Sequence, residues 1–128
     1  MNILGLDYGK KRIGVSFSEG TLAYPLPTII VEDKKSVLQK ISSIIEENRV
    51  TKIIFGLPSP DRIGAYDFAH VLQEKTCLEV ELRDETLTSV NALDKLRLSG
   101  KKRIKKADID AASATLLLQE YLDEQNQI

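Results

Sequence analysis

Ile3-Leu4-Gly5-Leu6-Asp7-Tyr8-Gly9-Lys10-Lys11-Arg12-Ile13-Gly14-Val15-Ser16-Phe17-Ser18 holds two strand patterns on either side of a short polar turn. Residues 3–6 are apolar on both phases, the pattern of a strand buried on two faces, whereas residues 13–18 alternate as a half-buried strand does. The short stretch between them has room only for a hairpin turn. A third strand falls within residues 21–31, where Pro25 and Pro27 cannot donate ladder hydrogen bonds and so belong at a sheet edge. The chain therefore opens with an antiparallel meander.

Downstream the period changes. Val37, Leu38, Ile41, Ile44 and Ile45 make one helical stripe, which predicts an amphipathic helix over residues 36–48. Lys52-Ile53-Ile54-Phe55-Gly56-Leu57-Pro58 follows as a strand that Pro58 closes. Ala65, Phe68, Ala69 and Leu72 share a face and predict a helix over residues 65–75, and residues 78–83 read as another strand. Thr88 or Ser89 can cap a further helix ending at Ser99, with Gly100 in the position where a left-handed residue commonly stops one. The last helix spans residues 108–124, and its early Ala111, Ala112 and Ala114 would let the backbone lie close to a sheet before Leu118 and Leu122. A flexible tail is expected over residues 124–128.

With 128 residues, 42% apolar and 29% charged, the sequence fits a single domain over 1–128. Its 18 Lys and Arg nearly balance 19 Asp and Glu, so any contact with a polyanion must come from a local patch. Cys77 is the sole cysteine, which excludes a disulfide framework within the chain and zinc sites needing several thiolates. No stretch approaches the roughly 20 apolar residues of a membrane helix, and a cytoplasmic location is expected.

Strand-helix-strand units make their strands parallel by right-handed crossover, so the strands ending at Asp7, Leu57 and Arg83 deliver their carboxyl ends to one edge. Ligands of open α/β sheets bind at that edge, and here it receives Asp7 and the pair Asp84-Glu85. Converging carboxylates repel unless a cation or proton lies among them, and an all-oxygen set without His or Cys suits Mg²⁺ or Mn²⁺. Asp110 can supply a third acid if the alanine stripe faces the sheet, with Asp108 as its competitor. The plainer alternative makes Asp108 a helix cap and Asp84 and Glu85 turn residues.

These residues also carry a resemblance. The segment from Ile3 to Val15, Pro25-Leu26-Pro27-Thr28-Ile29, Gly56-Leu57-Pro58, Asp84-Glu85-Thr86-Leu87-Thr88, Asp110-Ala111-Ala112 and Leu118-Gln119-Glu120-Tyr121-Leu122-Asp123 resemble, in order, the bacterial YqgF family of Holliday-junction-resolvase-like proteins, also described as pre-16S rRNA nucleases. The resemblance implies an α/β, ribonuclease H-like fold: a mixed five-stranded sheet, three strands in an antiparallel meander and two parallel, flanked by helices. It further implies metal-dependent phosphodiester hydrolysis, with two divalent ions and processing of the 5′ end of pre-16S rRNA. Asp7, Glu85 and Asp110 match the family's acids and are the expected catalytic residues, with Asp84 as the alternative second metal ligand. Strand phase favours Glu85, because Leu78, Val80, Leu82 and Asp84 share the core phase. The chain departs from the family where Thr86 replaces an Arg, where Ser89 replaces a Thr, and in a shortened segment after Pro58.

Gly9, Lys10, Lys11 and Arg12 surround the first turn, and Lys101, Lys102, Arg103, Lys105 and Lys106 precede the last helix; together they are the expected nucleic-acid rim. Tyr8 is read as turn packing ahead of stacking on a base, Cys77 as a half-buried side chain and His70 as a surface or boundary residue. Structured RNA is expected as partner ahead of branched DNA, with no membrane, by a monomer or homodimer. A Holliday-junction resolvase and a non-catalytic RNA- or ribosome-associated module are the competing functions. Actin-like and sugar-kinase ATPases share the Gly5-Leu6-Asp7-Tyr8-Gly9 pattern, but need a second domain that 128 residues do not provide.

Overall fold

A computed structural model describes residues 1–57, 62–84, 100 and 105–126. Five strands, β1 (Ile3–Asp7), β2 (Arg12–Ser18), β3 (Ala23–Ile30), β4 (Lys52–Leu57) and β5 (Glu79–Asp84), form one sheet in the order β3-β2-β1-β4-β5. β1 runs antiparallel to β2 and parallel to β4, β2 is antiparallel to β3, and β4 is parallel to β5. This is the expected sheet, with proline-bearing β3 at one edge.

Helices α1 (Lys34–Asn48) and α2 (Arg62–Thr76) cover one face, and α3 (Lys106–Gln125) covers the other. α1 begins two residues before the expected start at residue 36, because Asp33 accepts a hydrogen bond from Ser36 N at 2.8 Å and caps the helix. Alternation along β1 divides the core. Leu4 and Leu6 join Ile53, Phe55, Val37, Ile41, Phe68 and Leu72 on the α1/α2 face. Ile3 joins Ile54, Leu117, Leu118, Tyr121 and Leu122 beneath α3. Each fully buried leucine contributes about 1.5–3 kcal/mol relative to an exposed one.

α3 approaches the sheet closely through missing side chains. A Cβ on Gly14 would lie 1.9 Å from the Asp110 carbonyl oxygen, and one on Gly5 would lie 3.0 Å from Leu118 Cβ. Of the expected alanine stripe Ala114 is fully buried at this contact, beside Ser113, whereas Ala111 and Ala112 are half-buried. The Ser16 hydroxyl, fully buried on β2, donates to the Ala114 carbonyl at 2.7 Å and pins the helix laterally. Ser16→Ala is expected to cost about 1 kcal/mol, read as a lower urea midpoint with unchanged slope. An unmoved midpoint would show that this bond has no net worth.

Beyond Leu122 the helix continues through Glu124 to Gln125, into the segment expected to be a flexible tail. Arg83 Nη2 meets Glu124 Oε1 at 2.6 Å, which gives the last turn a partner on β5. Nearby, Lys52 Nζ lies 4.9 Å from the Tyr121 ring centroid and pairs with Glu79 and Glu81. Burial alone would pull this ammonium's pKa down, but hydrogen bonds with Glu79, Tyr121 and Glu81 outweigh it and hold it above the usual lysine value.

Cys77 is exposed, where a half-buried side chain was expected. It occupies a left-handed conformation, φ 58°, immediately after α2, so its backbone turns the chain toward β5 and its side chain is carried outward. His70 is a surface residue paired with Glu74 one turn on. The helix expected between Thr88 or Ser89 and Ser99 lies outside the described residues; Gly100, φ 81°, is left-handed.

Candidate active site

The site grows from the end of β1. Asp7 follows Ile3 and Gly5 on the α3 face by the two-residue period of a strand, and it is 7% exposed. Its register partners are Gly14 on β2 and Gly56 on β4. Neither neighbour has a side chain to crowd the carboxylate. The space over Gly14 is taken by the backbone of Asp110, so the first turns of α3 are seated beside Asp7. Opposed residues of an antiparallel pair have Cα atoms about 4.5–5.5 Å apart, which makes Asp7 and Asp110 near neighbours despite their distance in sequence.

Asp110 is held in place. Arg12 Nε donates to Asp110 Oδ2 at 2.7 Å, with both side chains about a quarter exposed. Arg12 and Gly14 are two residues apart on β2 and share a face, so one stretch both anchors the Asp110 carboxylate and makes room for its backbone. Sequence reading placed Arg12 in the phosphate rim and missed this pairing.

Asp108 serves the helix instead. Its Oδ2 accepts from Lys105 N at 3.0 Å, which completes the start of α3. On β5, Asp84 stands opposite Leu57, a residue of the α1/α2 core, so strand register puts Asp84 on the face away from Asp7. Glu85 lies outside the described residues. Among the described residues no group of three or more acids, His or Cys could hold a metal ion. The donor chemistry of Asp7 and Asp110 nevertheless fits a hard divalent cation: two carboxylates, no nitrogen or sulfur, at a strand end opened by paired glycines.

Lys10 and Lys11 are exposed in the β1–β2 turn, and Lys105 and Lys106 are exposed at the start of α3. Gly9 is required there sterically, because its Cβ would lie 2.5 Å from the Arg12 carbonyl oxygen. Lys101, Lys102 and Arg103 lie outside the described residues. No helix of the described residues is long and apolar enough to cross a membrane.

Comparison with known proteins agrees with this architecture. A protein of Chlamydia trachomatis serovar L2 named "Putative pre-16S rRNA nuclease" is 40% identical, with 94% of this chain and 90% of that protein aligned. One of the same name from Thermoanaerobacter pseudethanolicus is 39% identical over 98% of each. Among solved structures, the fowlpox virus Holliday junction resolvase superposes with a TM-score of 0.65 at 11% identity, covering 98% of this chain and 99% of its own. Thermus thermophilus RuvC superposes at 0.57 with 16% identity, covering 98% and 97%. Such low identities speak for the shared ribonuclease H-like fold alone. The family model described as "RuvX: Holliday junction resolvase" matches residues 1–124, and the chain belongs to that family.

Proposed function

We propose that this protein is a divalent-metal-dependent nuclease that processes the 5′ end of pre-16S rRNA in the cytoplasm. The carrying observation is the buried Asp7 carboxylate at the end of β1, flanked by Gly14 and Gly56 and backed by Asp110. Asp7 and Asp110, with Glu85 as third acid, would hold Mg²⁺ or Mn²⁺. When bound, two such ions activate water for in-line attack on phosphorus and offset charge on the leaving oxygen. Arg12 fixes the orientation of Asp110 before substrate arrives. Lys10, Lys11, Lys105 and Lys106, together with Lys101, Lys102 and Arg103, would hold the phosphate backbone around the acidic centre. The relatives' shared name supports an rRNA substrate.

The family description favours a second reading, cleavage of branched DNA. A side-by-side assay separates them: a pre-16S RNA fragment with its 5′ extension and a four-way DNA junction, each with Mn²⁺ or with EDTA. Metal-dependent cleavage at the RNA extension is expected, faster than junction cleavage. Preference for the junction would transfer the protein to the resolvase reading. RNA binding without cleavage under any metal would leave only a binding module.

A further inference from the structure

We propose that a cavity on the opposite side of the sheet edge from Asp7 is a subsite for one unpaired base of single-stranded RNA. The inference rests on the nucleic-acid reading above and adds the form of substrate the site accepts. Because side chains alternate along the strand, Tyr8 leaves the end of β1 on the α1/α2 face while Asp7 leaves it on the α3 face. The Tyr8 ring packs 5.3 Å from Phe68 and 5.7 Å from Phe55, centroid to centroid. Beside it lies a cavity of about 180 Å³, walled by Tyr8, Phe68, Ile13, Val31 and Val37, with Gly64 on α2 and Lys34 on α1 completing the lining.

Size and chemistry favour a nucleobase. Sites for whole drug-sized ligands run from about 300 to 1,000 Å³, so this cavity suits one ring system and excludes a nucleotide. Its walls are apolar and partly aromatic, the surface on which bases stack regardless of sequence. The exposed Lys34 also lines a wider groove between α1 and α2 that carries Lys35 and Lys75, with Glu46 among its residues. Positive charge therefore continues outward from the cavity and complements the phosphates flanking an inserted base. A base within a duplex is covered on both faces and cannot enter, so the subsite selects an unpaired nucleotide next to the bond facing Asp7.

The test uses a short single-stranded RNA bearing 2-aminopurine at successive positions, bound in EDTA and read by fluorescence. Wild type is expected to change the emission at one position only. Gly64 and Phe68 are four residues apart on α2 and share a face, so Gly64→Met fills the cavity while favouring the helix. It should lose the position-specific change and bind roughly tenfold more weakly, within the range that loss of one stacked base produces. Lys34→Gln should weaken binding yet keep the fluorescence change. Identical affinity and fluorescence for Gly64→Met and wild type, or no position-specific change in wild type, would overturn the subsite. Cleavage by wild type with Mn²⁺ is measured in parallel. Cleavage without a position-specific signal sinks the subsite alone, and the signal without cleavage sinks only the nuclease.

Discussion

Asp7→Asn is expected to abolish RNA cleavage, with a loss of at least about a thousandfold, while the protein keeps its cooperative melting. Electrostatic stabilisation by a bound metal contributes several kcal/mol to such a transition state, and each 1.36 kcal/mol is a factor of ten in rate. Asparagine has nearly the same shape but lacks the charge that holds a hard cation. Asparagine also keeps the volume of this buried side chain, so the packing at the sheet end is preserved. The variant should therefore still melt in one cooperative transition. Rates are compared across a Mn²⁺ titration, with melting followed by circular dichroism. Equal cleavage by the two proteins would remove Asp7 from the mechanism, and a collapsed melt would show that its role is structural.

The second large effect lies at Gly14. Gly14→Ala is expected to lower stability by about 3 kcal/mol, the upper end for overpacking, and the melting temperature by roughly 10 °C. The new Cβ would stand 1.9 Å from the Asp110 carbonyl oxygen and 2.5 Å from its carbon. These are helix backbone atoms, which cannot rotate away as a side-chain tip can, so the start of α3 must shift. Cleavage should fall further than the lost folded fraction explains, because Asp110 moves with the helix and away from Arg12. Wild-type melting and cleavage in this variant would mean that α3 is not seated on β2 at this point.

Much of this arrangement was legible in the sequence because it follows from local periodicity and the handedness of crossovers. The alternation after Gly14, the prolines at 25 and 27 and the two strand-helix-strand units lead directly to the observed strand order. The neighbourhood of Asp7 and Asp110 was legible for the same reason. Strand phase alone separated Asp84 from Asp7, since a residue in step with Val80 and Leu82 must share their face. The Arg12–Asp110 pair was not legible, because it depends on how far along β2 the last helix docks. That position is set by Gly5, Gly14 and Ser16, whose effect is a steric fit between distant segments. The exposure of Cys77 was missed because a single left-handed residue leaves no periodic trace.

The ion pair joining Arg12 to Asp110 and the hydrogen bond joining Ser16 to Ala114 each close a loop of 98 residues. Contacts of such high sequence separation form against a large loop-closure entropy and slow the folding of a domain. Bringing Asp110 to the sheet edge thus depends on docking the last helix against strands at the start of the chain. Without α3 in place only one of these carboxylates stands at that edge, so the pair is a property of the whole folded domain and of no shorter segment.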